Sequence, residues 1–177
     1  MPKQKTAATK VQAKSAAPKS QVRQAQTPTF NARIEGINYD VLEELTGYAV
    51  RRAQLSIYAD FTASLGVYDI TPQRFSSLVI VSNNPGISQT RLAEVMGIAR
   101  SNVVAIIDNF EQTGLMERQD SGDRRSYMLH LTKEGQRQLE KYKQAVKEHD
   151  DRVSQHLTTK ERQQLRALLG KLCMGLE

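Results

Sequence analysis

The chain is short of the residues that most often build enzyme centres and disulfide scaffolds. Of its 177 residues, one is cysteine, three are histidine, none is tryptophan, and aromatics make up 6%. A single thiol, Cys173, excludes an intrachain disulfide and a cysteine-cluster metal site; among Leu172 and Met174 near the end of an apolar stripe, it reads as a buried, inert group. No Gly-rich phosphate loop, H-E-x-x-H pair or nucleophile elbow occurs, so an enzyme is not expected and no cofactor is implied. His149 and His156 stand seven apart beside Asp150 and Asp151. With so few histidines they read as solvated helix residues rather than metal ligands. No apolar run approaches the roughly 18 residues of a membrane span, and the N-terminus lacks the apolar stretch of a secretory signal. A soluble, cytoplasmic protein is the expectation.

Charge is unevenly placed. The formal net charge is +6, and residues 1–29 hold Lys3, Lys5, Lys10, Lys14, Lys19 and Arg23 with no acid, while the rest of the chain balances 19 basic against 19 acidic residues. This tail, rich in Ala, Gln, Thr and Ser with Pro2, Pro18 and Pro28, is too polar to bury a core and is expected to be disordered. It is either a cationic arm that attracts phosphates without regard to sequence or a solubilising extension. Its lysines fit Arg-rich organelle targeting poorly.

What is present is a chain of helical periods interrupted by one hairpin. A long helix is expected from about Tyr39 or Val41 to Leu65, ended by Gly66, with Leu42, Leu45, Ala49, Ala53, Ile57 and Phe61 available for burial. Thr71 and Pro72 supply the cap and first turn of a helix to about Ser82, stopped by Asn84-Pro85-Gly86. Ser88 caps a short helix from Gln89 to Met96, which Gly97 ends. A further helix from about Ala99 to Thr113 buries Val103, Ile106, Ile107 and Phe110, leaving Arg100, Ser101, Asn102, Ala105 and Asn109 on or near the opposite face. After Gly114 comes a hairpin with tip Asp120-Ser121-Gly122-Asp123-Arg124-Arg125 and a return strand in which Tyr127, Leu129 and Leu131 alternate. Thr132 opens a helix to about Gln155. Thr158-Thr159-Lys160-Glu161 is a capping box for a last helix whose Leu165, Leu168, Leu169 and Leu172 form an apolar stripe.

Two short helices, a tight turn and a hairpin in this order form the pattern of a winged helix-turn-helix. Such proteins lay the second helix in the major groove, where Arg bonds guanine, Asn bonds adenine and a small Ala admits a thymine methyl. Tip arginines Arg124 and Arg125 suit a narrow minor groove, with Asp123 orienting a guanidinium. The plainer alternatives are a solvated helix face and an ordinary charged turn.

The ordered set Ile70-Thr71-Pro72-Gln73-Arg74-Phe75, Leu92-Ala93, Arg100-Ser101-Asn102-Val103, Gly114-Leu115, Asp123-Arg124-Arg125-Ser126 and Leu129-His130-Leu131-Thr132-Lys133-Glu134-Gly135 resembles the MarR family of bacterial transcription regulators. The likeness runs from about Tyr39 to Leu176. It implies a mainly α fold with a small β-hairpin, a MarR-like domain over 30–177 that follows the basic tail over 1–29. Within that domain the winged helix-turn-helix spans about 67–131, and dimerisation helices span about 39–66 and 132–176. It also implies a homodimer on a near-palindromic double-stranded DNA operator, and a repressor of a catabolic or stress operon released by a small ligand. The protein would be nucleoid-associated when bound. Ser88, Arg100, Ser101, Asn102, Ala105, Asn109, Asp123, Arg124 and Arg125 are the expected DNA-binding residues. Val104-Ala105 stands where members often carry Thr-Arg, so no operator sequence transfers. Arg91 stands where an acid is common.

The family habit of binding aromatic acids, or aromatic acyl-CoA thioesters, draws attention to Tyr48, Arg51, Arg52, Leu55, Tyr58, Tyr68 and Arg74, where arginines beside tyrosines suit an anionic aromatic. The alternative is that these arginines pair with Glu43, Glu44 or Asp60 and the tyrosines belong to the core. A winged-helix protein-interaction module with a non-specific DNA-binding tail is the opposing functional class. Replacing Arg124 or Arg125 by Ala is expected to weaken operator binding, read by fluorescence anisotropy, without lowering the melting temperature; unchanged affinity in both variants would remove the wing tip from recognition.

Overall fold

The computed structural model describes residues 31, 33–120 and 127–174. The basic tail and the wing tip, including Asp123, Arg124 and Arg125, lie outside the described residues. The chain runs α1 (Thr46–Leu65), α2 (Pro72–Asn83), β1 (Ile87–Ser88), α3 (Gln89–Met96), α4 (Arg100–Gln112), β2 (Met116–Asp120), β3 (Tyr127–Leu131), α5 (Lys133–Val153) and α6 (Thr159–Met174). The three strands form one antiparallel sheet in the order β1-β3-β2. Met116 faces Leu131 at the hairpin's root and Asp120 faces Tyr127 toward its tip.

Local chemistry sets most of these boundaries. Thr71 Oγ1 accepts from the Arg74 N–H at 3.2 Å with Pro72 in the first turn, and Ser88 Oγ accepts from the Arg91 N–H at 3.2 Å. Gly97 ends α3 at φ 62°, the left-handed conformation that costs glycine least. The expected capping box is formed: the Thr158 N–H donates to Glu161 Oε2 at 2.7 Å and the Glu161 N–H to Thr158 Oγ1 at 3.3 Å.

At several places the fold departs from its sequence reading. The first helix does not begin at Tyr39 or Val41. A 3-10 turn occupies Asp40–Glu43, and extended Leu45 separates it from α1. The turn is tied locally by Arg33 to Glu43 at 2.6 Å and by the Ile34 N–H to the Tyr39 hydroxyl at 3.1 Å. The helix ends at Leu65 before Gly66, as expected, but Gly66 is not the left-handed residue: at φ −57° it leads into a second 3-10 turn, Gly66–Tyr68, and Asp69 at φ 50° makes the left-handed reversal. Aspartate tolerates that conformation better than most residues. Strand β1 has no alternating pattern at two residues and was not legible; its Ile87 pairs with Leu129. Tyr127 is half exposed rather than inward, because the hairpin projects beyond the core that buries Leu129 completely.

The core joins Leu78 and Val81 of α2, Leu92 of α3, Val103, Ile107 and Phe110 of α4, Leu129 of β3 and Leu139 of α5. Of α1 only Phe61 and Leu65 are buried. Leu42, Leu45 and Ile57 stay exposed, as do all four leucines of the α6 stripe. No residue of α6 is buried, so Cys173 is exposed rather than buried as the sequence suggested. His149 departs in the opposite direction: it is buried, at 5% exposure, edge-on to Phe61. Among the described residues no helix is long and apolar enough to cross a membrane.

The step from hairpin to α5 is the tightest joint. Thr132 Oγ1 accepts from the Gly135 N–H at 3.0 Å and donates to the Gly114 carbonyl at 2.7 Å, while the Thr132 N–H donates to the Leu115 carbonyl at 3.1 Å. A Cβ on Gly135 would lie 1.9 Å from that carbonyl oxygen. Backbone cannot yield there without moving α5. Gly135→Ala is therefore expected to cost about 3 kcal/mol, seen as a fall of roughly 6–12 °C in thermal melting for a chain of this size.

Candidate nucleic-acid interface and ligand cleft

Helices α3 and α4 carry the helix-turn-helix. The apolar residues Val103, Ile107 and Phe110 point into the core, which forces Arg100, Ser101, Asn102 and Ala105 outward, and all four are exposed. Ala99 precedes α4 without a side-chain cap, and the Asn102 and Val103 N–H groups donate to its carbonyl at 2.9 and 3.3 Å. Ser88 is half-buried as the cap of α3. Asn109 stands apart from the exposed set: partly buried, its Oδ1 accepts from Arg74 Nη2 at 2.5 Å.

Sequence reasoning missed the residue that fixes the wing. Arg118 of β2, largely buried, donates Nη2 to Asp108 Oδ1 at 2.5 Å and Nη1 to Glu111 Oε2. Its own N–H donates to Glu111 Oε1 at 3.1 Å. With the Gln89 amide oxygen turned toward it, Arg118 Nε donates there at 2.6 Å. One guanidinium thus locks the hairpin to α4 and to the start of α3, and pairs with two carboxylates of α4. Ser88, Gln89, Thr90, Arg100, Asp108, Arg118 and Tyr127 enclose a recess of about 360 Å³ between helices and wing. The only available signal was a lone arginine on a strand two turns after two acids on one helix face.

The expected ligand residues do not converge on one place. Tyr58 lines a largely apolar cleft of about 450 Å³ with Gln54, Ile57 and Phe61 of α1 and Thr71, Pro72 and Gln73 at the start of α2. Tyr48 and Arg52 line a smaller recess of about 330 Å³ with Arg33, Leu42, Glu43 and Ala49. There the Arg52 guanidinium lies 5.1 Å from the Tyr39 ring centre and 5.5 Å from that of Tyr48. Arg51 is exposed and Leu55 half-buried on the same helix. Tyr68 packs edge-on to Tyr142, and Arg74 is engaged elsewhere, by Asp69 and Asn109. The cleft residues of α1, at spacings of three, four and seven, were legible as one helix face; that Thr71-Pro72-Gln73 faces them was not.

Neither Glu43 nor Asp60 is taken by Arg51 or Arg52. Glu43 pairs with Arg33. Asp60 holds α1 against α5 behind the cleft: its Oδ2 lies 2.6 Å from His149 Nδ1 and 3.0 Å from Arg152 Nη2. Arg152 Nη2 also donates to Ser64 Oγ at 2.5 Å.

The sequence profile of the MarR family matches residues 70–127. A putative transcriptional regulatory protein for the hcr operon of Thauera aromatica is 36% identical over 128 residues, 71% of this chain and 77% of that protein. The chain belongs to the MarR family. A solved transcriptional repressor, CouR, bound to a 23-mer DNA duplex, superposes with TM-score 0.73 at 37% identity, covering 77% of this chain and 98% of that one. CouR bound to p-coumaroyl-CoA superposes with TM-score 0.72 at 35% identity, covering 79% and 99%. The mainly α winged-helix architecture and the DNA-binding transcription-regulator function follow from this membership.

The guanidinium of Arg152, hydrogen-bonded to Asp60, holds its carboxyl below the ordinary value of 3.8, with His149 reinforcing the effect against partial burial. A folded pKa below the unfolded one means that this stabilisation is complete above 3.8 and is lost as pH falls through the lower folded value. Asp60 is one-third exposed, so Asp60→Asn is expected to cost only about 1–2 kcal/mol at pH about 7. Urea midpoints should differ there, and the gap from wild type should close well below pH 3.8.

Proposed function

We propose that this regulator is a homodimeric repressor released from its operator by an aromatic acyl-CoA. The observation that carries the reading is the apolar α1–α2 cleft in a chain that matches, along most of its length, a repressor solved with both DNA and p-coumaroyl-CoA. An aromatic acyl group would enter beside Tyr58 and Phe61. The exposed Arg51 and the ring-flanked Arg52, with Tyr48 and Leu55, supply cations and apolar surface on the same helix for a nucleotide's phosphates.

In the major groove, Arg100, Ser101, Asn102 and Ala105 would read bases, with Ser88 and Asn109 at the margins of that surface. Asp123, Arg124 and Arg125 would serve the wing. The tail over 1–29 would add salt-sensitive attraction to phosphates. Dimerisation is supported by the leucines of α6 and by Val41, Leu42 and Leu45, large apolar side chains that are exposed in the single chain and that a partner would cover. Two recognition helices one DNA turn apart would then meet a near-palindrome.

Release follows from linkage. An effector lowers operator affinity only by binding the DNA-incompetent arrangement more tightly, and DNA must weaken effector binding by the same factor. Selection from a random duplex pool at near-physiological salt is expected to enrich a palindrome with half-sites about one turn apart. Titration with p-coumaroyl-CoA should then release the best fragment, and Tyr58→Ala should raise the effector concentration required by about tenfold, the scale of losing one packed ring. Enrichment of no sequence would leave a basic tail on a protein-binding module; release by the free aromatic acid but not the thioester would assign a smaller effector.

A further inference from the structure

We propose that Arg74 couples occupancy of the α1–α2 cleft to the setting of the recognition helix, as a positioning residue that touches neither ligand nor DNA. The inference deepens the effector reading and rests on it for the identity of the ligand, though not for the geometry.

Three consecutive residues, Thr71, Pro72 and Gln73, form the α2 wall of the cleft. The next residue sends its side chain to α4. Arg74 Nη2 donates to Asn109 Oδ1 at 2.5 Å, and its guanidinium carbon lies 5.2 Å from the ring centre of Phe110, a fully buried core residue of α4. Nη1 donates to Asp69 Oδ2 at 2.9 Å, and Asp69 is the left-handed joint between the end of α1 and α2. Arg74 therefore sits in the same helical turn as the cleft wall, held to that turn by the Thr71 cap on its N–H, and clamps both the joint and the recognition helix.

A group wedged between Tyr58 and Phe61 on one side and Thr71–Gln73 on the other displaces the first turn of α2. Asn109 and Phe110 follow through the clamp. They lie four to ten residues beyond Arg100–Ala105, on the order of 6–15 Å along the axis, so a rigid α4 turns a small shift at its far half into a re-aimed reading face. One further feature favours a second arrangement. Arg74 Nε is buried with no hydrogen-bond partner, so a displaced position that satisfies it recovers a donor that the present one leaves unpaired. Two packings related in this way form the bistable element that transmission between sites requires.

The test compares wild type with Arg74→Lys and Asn109→Ala. Lysine keeps the charge but cannot span Asp69 and Asn109 while stacking on Phe110; Asn109→Ala removes the α4 end of the clamp and guards against misfolding in the first variant, and because release is read as the ratio of operator affinities with and without ligand, any contact Asn109 itself makes to DNA cancels. Operator affinity is measured with and without saturating p-coumaroyl-CoA, and ligand affinity by calorimetry without DNA. Wild type is expected to lose about tenfold or more in operator affinity on adding ligand, within the usual range of coupling. Both variants should bind the ligand within about threefold of wild type and show no more than about twofold release. Wild-type release in both variants overturns the proposal.

A second readout needs no ligand. Because coupling is reciprocal, operator binding should change hydrogen exchange at the amides of Gln73–Ser76 in wild type and leave them unchanged in Arg74→Lys. The same change in both proteins, or none in wild type, overturns the proposal. If p-coumaroyl-CoA fails to release wild type, the effector reading is what fails, and this exchange comparison still decides the coupling.

Discussion

The close backbone approach of Gly135 to Leu115 is the constraint through which the two halves of this chain are joined. At that point the hairpin has just returned from the DNA side and must become a helix of 21 residues lying across the core. Thr132 resolves the conflict by capping α5 while bonding Gly114 and Leu115, the two residues that precede β2. A residue with any side chain at position 135 would push α5 away from Leu139 and Tyr142's burial sites, and with them from the α1 contacts at Asp60 and Phe61. Packing of the long helices and placement of the wing are therefore one problem with one tight joint.

Charge plays a different part on each side of that joint. Around Arg118, three elements of the DNA-facing lobe are held in register by a guanidinium with acceptors on Asp108, Glu111 and Gln89. Behind the cleft, Asp60 gathers His149 and Arg152. Both sites are only partly sheltered, so their value lies more in fixing orientation than in net stabilisation, as is general for ion pairs near a surface. Arg74 links the joint after α1 to α4, one residue past the wall of the apolar cleft. The proposed release mechanism uses this layout, since the cleft wall and the recognition helix are one side chain apart.

Much of the local structure of the candidate DNA-facing surface was legible because it obeys local rules. Ser88 and Thr71 cap helices whose N–H groups need acceptors, Gly97 takes a conformation other residues resist, and a helical period separates Val103, Ile107 and Phe110 from Arg100, Ser101 and Asn102. The ligand residues were less legible. Tyr48, Arg52 and Tyr58 share a helix and a composition, yet line different recesses, because which side of a helix meets a cavity depends on the neighbouring helix. Cys173 and His149 were each read against their actual burial for the same reason: among the described residues no side chain of α6 is buried, while α5 turns His149 onto Phe61.

Sequence alone determined the order of the six helices and the hairpin, the caps of α2, α3, α5 and α6, the apolar stripe of α6 and the family to which the chain belongs, since all of these depend on residues near one another along the chain. Only the tertiary structure decided that Arg118 locks the wing, that Arg74 reaches α4 rather than the cleft, and that Thr71, Pro72 and Gln73 face Tyr58 and Phe61. Those contacts join groups on separate elements, where the partner of a side chain is set by how helices pack and not by its neighbours in sequence.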